Sequence, residues 1–369
     1  MTNEIIEKQR QAAKDHNLDV MVAISWENVA YTAGVLVPSQ PKLRERHAIC
    51  VVPVIGEPTM IIVDMEYSTV KKYGRIADVR SYKEFAENAM DHLGDVLTKL
   101  GLSQGRIGIE GKVISHDDFN HLNGRLPNAQ FIGCDKVYAE LRMVKTRKEI
   151  ETISKVGRIA DKVHTAIAKY AKAGMTERDV GAFATSQLIL LGADCTSILV
   201  VAAGDRSGLP NVSPSDYELQ PGDIMRIDIL ADLSAYHSDV ARTYVIGQAS
   251  NQQQEMWKKF TDTHHTVLEN IRAGVHTQDL YGIYKKKFED YGLPLANFLG
   301  HGLGITVHEE PYIGGISDYV LKEGMVLCVE PFLFGETEGY QLEDEILVTT
   351  NGYQLITDIT PTARLVETA

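Results

Sequence analysis

Asp228, Asp239, His301, Glu330 and Glu343 are residue types that hold divalent cations, and the four carboxylates recur on segments that read as strands. Asp228 lies in the apolar run DIMRIDILAD. Asp239 follows 11 residues later in HSDVARTYVIG, beyond a short turn at Leu233 to Ala235. Glu330 lies in VLCVEP and Glu343 in YQLEDEILVT, again on consecutive strand-like runs. A lone carboxylate of this kind is ordinarily a solvated strand residue or the partner of an arginine. Four at corresponding places are different, because burying unpaired carboxylates costs several kcal/mol each unless a cation or a shared proton relieves them.

The stretch LGHGLGITVHEEP, Leu299 to Pro311, adds two imidazoles, His301 and His308, among Gly300, Gly302 and Gly304. Clustered glycines let backbone approach a crowded centre closely. Oxygen-rich ligation with one or two imidazoles suits Mn²⁺, Co²⁺ or Zn²⁺, and four carboxylates neutralise two such ions. His301 is the expected ligand, and His308 is expected to face a substrate. The competing reading of GHGLG as a phosphate loop lacks a βαβ unit starting there, and a histidine would crowd a pyrophosphate. A Ser-His-Asp arrangement remains open, although no G-x-S-x-G elbow accompanies it. His264 and His265, in a predicted helix without matched carboxylates, read as surface or packing residues.

These residues need a scaffold, and the sequence repeats one. AGMTERDV begins at Ala173 and AGVHTQDL at Ala273, each after an amphipathic helix and each opening another. LQPGDIMRID, from Leu219, parallels LKEGMVLCVE, from Leu321, with Leu, Gly and a final carboxylate in register. The spacing predicts two related halves, each running helix, helix, strands. Upstream, residues 3 to 16 read as a helix, DVMVAIS and HAICVVPV as buried strands, EPTMIIVD as a hairpin partner, FAENAMDHLGDVLTKLG as a helix and RIGIEG as a strand. That is an α/β domain of its own, in which WENVAYTAG near Trp26 is only a weak pocket signal. A polar link at Lys145 to Arg147, followed by a long charged amphipathic helix, marks the change of domain.

Composition narrows the partners. The chain has 369 residues and a net charge of -13, with no basic stripe for nucleic acid or an anionic membrane. No apolar run approaches the roughly 20 residues needed to span a bilayer. The start MTNEIIEKQRQAAKD lacks the order of a signal peptide, so the protein reads as cytoplasmic. Cys50, Cys134, Cys195 and Cys328 are scattered and read as reduced core thiols.

The order Asp228, Asp239, GHGLGITVHEEP, VLCVEP and QLEDEILVT resembles the pita-bread metallohydrolases, the clan of methionine aminopeptidase, aminopeptidase P, prolidase and creatinase. The resemblance is strong over residues 140 to 360 and favours the prolidase-creatinase branch. It implies an α/β creatinase/prolidase-like N-terminal domain over 1–142 and an α+β pita-bread catalytic domain over 143–369, with an internal pseudo-two-fold repeat. It also implies two divalent ions, Mn²⁺ or Co²⁺ before Zn²⁺. Asp228 would bind one ion, His301 and Glu330 the other, and Asp239 and Glu343 both. His308 would be catalytic, Glu330 would carry a proton, and the assembly would be a homodimer.

This chain departs from the family pattern in its substrate shell. Asn211 stands where a histidine is usual, Gln341 where an arginine is usual and Leu230 where a glycine is usual; Asn211 and Gln341 are the expected substrate-binding residues. Three functions follow. The first is an Xaa-Pro dipeptidase or aminopeptidase acting on a small peptide. The second is a creatinase-like hydrolase of a small amide, urea or cyclic amidine. The third is an inactive binding module, which has no reason to keep four buried carboxylates together.

Overall fold

The computed structural model describes residues 4–43 and 45–368, and the chain divides into two compact units, Met1–Arg142 and Met143–Ala369. In the first unit β1 (Val20–Ala23), β2 (Ala48–Pro53) and β3 (Thr59–Val63) are buried at every residue, as their continuous apolar sequences require. With β4 (Asp78–Tyr82), β5 (Arg106–Ile109) and β6 (Gln130–Gly133) they form one sheet in the order β4-β3-β2-β1-β5-β6. The expected hairpin is the antiparallel β2–β3 pair.

Helices α1 (Glu4–Asp15), α2 (Trp26–Ala33), α3 (Tyr67–Tyr73), α4 (Ala89–Lys99), α5 (His116–Arg125) and α6 (Asp135–Met143) complete this unit. The helix expected from Phe85 starts only at Ala89, because the Asn88 side chain caps it by accepting from Met90 N–H. WENVAYTA is α2. Its entry is held by the buried carboxylate of Glu110, which accepts from the Ile24 and Ser25 N–H groups. Trp26 does border an open cleft, with Gln40, Arg46 and Lys112.

The second unit opens with α7 (Arg147–Tyr170), which begins at a capping box: Thr146 accepts from Glu149 N–H while Glu149 accepts from Thr146 N–H. Then the repeat unfolds in space. α8 (Glu177–Leu191) leads into β7 (Cys195–Ala203), β8 (Ile224–Leu233), β9 (Tyr236–His237) and β10 (Val240–Val245). After α9 (Asn251–Leu268), α10 (Thr277–Asp290) leads into β11 (Phe298–Gly302), β12 (Glu309–Gly314), β13 (Val326–Val329), β14 (Phe332–Phe334), β15 (Gly339–Gln341), β16 (Asp344–Val348) and β17 (Tyr353–Leu355), with β18 (Val366–Glu367) returning to β10.

The two halves share details that chance would not supply. Gly174 and Gly274 both have left-handed φ, +83° and +87°, and their N–H groups donate to Leu219 O and Leu321 O at 3.0 and 2.8 Å. Each half has its own core. Val163, Ile167, Leu188, Ile227 and Tyr244 fill one, and Trp257, Phe260, Phe288, Leu327 and Ile346 the other. Burying each Val, Leu, Ile or Phe among them contributes about 1.5–3 kcal/mol.

Two larger sheets result, β18-β10-β8-β7 and β12-β11-β13-β16-β17, beside the two-stranded β14-β15. The larger two meet where Glu343 N–H donates to Ala241 O at 3.0 Å. The turn between β8 and β9 is tighter than its sequence suggests: Ser234 and Ala235 both take left-handed φ, +52° and +70°, without the Asn-Gly that usually supplies it.

Candidate metal centre

The seam between the two sheets collects the five residues. Asp228 is on β8, opposite Ala241 of β10. Asp239 lies in the break between β9 and β10, His301 is on β11 opposite Cys328, Glu330 directly follows β13 and Glu343 directly precedes β16. His301 Nε2 is 3.4 Å from Glu330 Oε1, 3.6 Å from Asp239 Oδ2 and 3.8 Å from Glu343 Oε1. The close approach needs small residues, since a Cβ on Gly300 would overlap the Cys328 carbonyl.

Hydrogen bonding leaves several atoms of the cluster without partners among the described residues. His301 Nδ1 pairs with Gly302 O at 3.0 Å, which assigns its proton to that nitrogen and turns the Nε2 lone pair toward the carboxylates. His301 Nε2, Asp228 Oδ1, Asp239 Oδ1 and Glu343 Oε1 are buried without a hydrogen-bond partner among the described residues. A lone pair facing carboxylate oxygens is repulsive, and a divalent cation removes that repulsion. The donor set therefore fits a metal. Burial, followed by the neighbouring carboxylates, pushes the Asp239 and Glu343 carboxyls well above their usual range. Asp228 is pushed up to about 6, by burial first and then by Glu330.

Asp228, Asp239 and Glu330 open onto a cavity of about 420 Å³. Asn211 and His308 are exposed and line it, and Gln341, 3% exposed, lines it from behind the carboxylates. The His308 ring stacks on His301, and burial of the ring and then His301 pull its pKa down to about 4. Leu230, Phe298, Val307 and Phe332 supply an apolar wall.

Sequence reasoning passed over Arg226, which lines the same cavity and donates to Gln341 Oε1 at 2.9 Å. Its signal was available: Arg226 and Asp228 are two apart on one strand and so share a face. It also passed over the buried Lys145–Glu309 pair, 2.9 Å apart, which no local pattern announces. Of the other histidines, His265 is exposed and His264 is buried, with Nε2 3.6 Å from Asp344 Oδ2. Cys50, Cys134 and Cys328 are buried free thiols, but Cys195 is exposed and donates to Asp232, because it starts β7 at the edge of its sheet.

Residues 151–350 match the family model for metallopeptidase family M24, and residues 5–144 match that for the creatinase/prolidase N-terminal domain. An Xaa-Pro dipeptidase of Pyrococcus furiosus is 30% identical over 305 residues, covering 82% of this chain and 84% of that one. Its counterpart from Pyrococcus horikoshii is 29% identical over 360 residues, 96% of this chain and 97% of that one. The solved prolidase from Pyrococcus furiosus superposes with a TM-score of 0.82 at 28% identity, over 95% of this chain and 100% of that chain.

Proposed function

The chain belongs to metallopeptidase family M24, with a creatinase/prolidase N-terminal domain, and on that premise we propose that it is an Xaa-Pro dipeptidase working with two divalent ions. The observation that carries the reading is the set of unpartnered buried atoms, His301 Nε2, Asp228 Oδ1, Asp239 Oδ1 and Glu343 Oε1, in one carboxylate cluster beside a cavity. Asp228, Asp239, His301, Glu330 and Glu343 would hold the ions. Mn²⁺ or Co²⁺ suits this oxygen-rich set, with Zn²⁺ next.

Such ions, when bound, supply an activated water near neutral pH and polarise the carbonyl it attacks. The chain supplies the rest. Glu330 carries a proton from the water to the leaving nitrogen. His308, whose pKa burial of its ring and then His301 hold below the usual imidazole value, donates a hydrogen bond to the carbonyl oxygen as charge develops there. The apolar wall of Leu230, Phe298, Val307 and Phe332 receives a ring such as that of proline while excluding water.

Asn211 favours a second reading. A neutral amide on the cavity wall reads an uncharged amide or a ring nitrogen better than it stabilises charge, which suits a small creatinase-type amide or cyclic amidine. Turnover of metal-reconstituted protein on Xaa-Pro dipeptides and on small cyclic amides separates the two. Activity on neither class, with metal bound, leaves the inactive binding module. We also propose a cytoplasmic homodimer, the commonest closed assembly. Light scattering that reports a fully active monomer refutes that assembly.

A further inference from the structure

Arg226 is 1% exposed, and its guanidinium spans two pieces of the second unit. Nε donates to Ser207 O at 3.1 Å, and Nη2 donates to the carbonyls of Leu209 and Pro210, the latter at 2.6 Å. Nη1 donates to Gln341 Oε1 at 2.9 Å. That contact settles which end of the Gln341 amide faces the cluster. Its Nε2 is 3.1 Å from Glu330 Oε2 and 3.5 Å from both Asp228 Oδ2 and Glu343 Oε2. The guanidinium also lies 5.0 Å from the Phe334 ring centroid.

The segment held by Nε and Nη2 leads directly to Asn211. It is fastened on its other side to the hairpin that carries Gln341: Gly339 N–H donates to Ser207 Oγ at 2.8 Å, and a Cβ on Gly339 would overlap the Ser207 carbonyl. One planar fork therefore joins the wall of the cavity to the amide behind the carboxylates. A lysine has three donors at one point and no fork, so it cannot hold acceptors in these several directions at once.

We propose that Arg226 is a positioning residue for the metal centre, acting through Gln341 on the ligand carboxylates and through residues 207–210 on Asn211. This rests on reading Asp228, Glu330 and Glu343 as metal ligands. Burying a guanidinium is costly unless its donors are used, and here they are used to orient two functional groups rather than to meet substrate. The relay has a physical purpose: an amide N–H shared among three carboxylates restrains oxygens that otherwise repel one another when the ions are exchanged.

Partners that orient metal ligands typically contribute about 10- to 100-fold in metal affinity. Calorimetric titration of the metal-free full chain with Mn²⁺ tests the proposal in wild type, R226M, R226K, Q341A and R226M/Q341A. R226M and Q341A are each expected to weaken Mn²⁺ binding about 10- to 100-fold. The double variant is expected to bind no more weakly than the worse single one, since both break the same relay. R226K, which keeps the charge and loses the fork, is expected to match R226M. Wild-type affinity in R226K would assign the effect to charge alone and overturn the proposal, as would additive losses or an unchanged Q341A. If R226M does not fold, shown by the absence of a melting transition, R226K and Q341A decide the matter by the same criteria. Wild type that takes up no Mn²⁺ instead overturns the metal-centre reading, an outcome distinct from failure of the variants.

Discussion

The imidazole of His308 stacks on that of His301 with centroids 3.9 Å apart and planes inclined by 16°. His301 Nε2 lies within 3.8 Å of Asp239, Glu330 and Glu343, whereas His308 groups, among the described residues, with His301 and Glu330 alone, so adjacent rings take different parts. His308→Ala is expected to keep the metal and lower kcat about 10²–10³-fold, the usual effect of deleting one oxyanion donor. Asp239→Ala is expected to lose both metal and turnover. Elemental analysis beside steady-state kinetics checks the pair, and equal metal loss in both variants refutes the division of roles.

Removing the ions leaves the carboxylates to repel one another, so chelation is expected to lower the thermal midpoint and re-addition of Mn²⁺ or Co²⁺ to restore it. A ligand at a hundred times its Kd stabilises by about 2.7 kcal/mol. Ligand carboxylates and imidazole must be deprotonated to bind, so the restoring effect is expected to strengthen as pH rises. Calorimetric melts with and without chelator, at several pH values, measure both trends. Identical melts throughout would contradict the centre.

Lys145 and Glu309 form a buried pair, their side chains 1% and 5% exposed. Glu309 also accepts from Thr306 Oγ1 at 3.0 Å and directly follows His308. Lys145→Met removes the cation that faces a buried carboxylate and is expected to destabilise the protein by about 3–5 kcal/mol. Denaturant unfolding of the metal-free protein reads this directly, and a change below about 1 kcal/mol would place the pair among those that contribute little.

His164 is buried, pairing through Nδ1 with Tyr244 Oη and through Nε2 with Val240 O, both at 2.8 Å. Burial, followed by Arg242, pulls its pKa down from 6.5 to about 3. The folded state then binds fewer protons than the unfolded state below pH 6.5. Its contribution is fully present above that pH and is lost on acidification toward 3, at up to about 1.4 kcal/mol per pH unit. His164→Gln cannot titrate and is expected to show a shallower loss of stability between about pH 6 and 4. Parallel profiles for the two proteins would refute the assignment.

Asn211 tests substrate choice. Charge-assisted hydrogen bonds are roughly twice as strong as neutral ones, so Asn211→His is expected to raise kcat/KM on Xaa-Pro dipeptides by about 30- to 1,000-fold if the wild type is tuned to an uncharged amide. Wild-type kcat/KM above about 10⁴ M⁻¹s⁻¹ on a dipeptide would instead make Asn211 a neutral variation.

Much of this was legible in the chain because it is local. Alternation and apolar runs announce β1, β2, β3 and β8, and glycine-led helix starts repeated at Ala173 and Ala273 announce the two halves. Spacing likewise brought Asp228, Asp239, His301, Glu330 and Glu343 forward as a set, since few pressures other than a cation place that many carboxylates on corresponding strands. The tertiary structure decided what depends on long-range contact. It turned Gln341 away from a purely substrate-facing part by setting Arg226, 115 residues earlier, against its oxygen. It joined Lys145 to Glu309 across 164 residues, and it exposed Cys195 because a strand's place at a sheet edge is a property of the whole sheet. Periodicity records which face of an element is buried, whereas a hydrogen bond between distant strands leaves no period in either one.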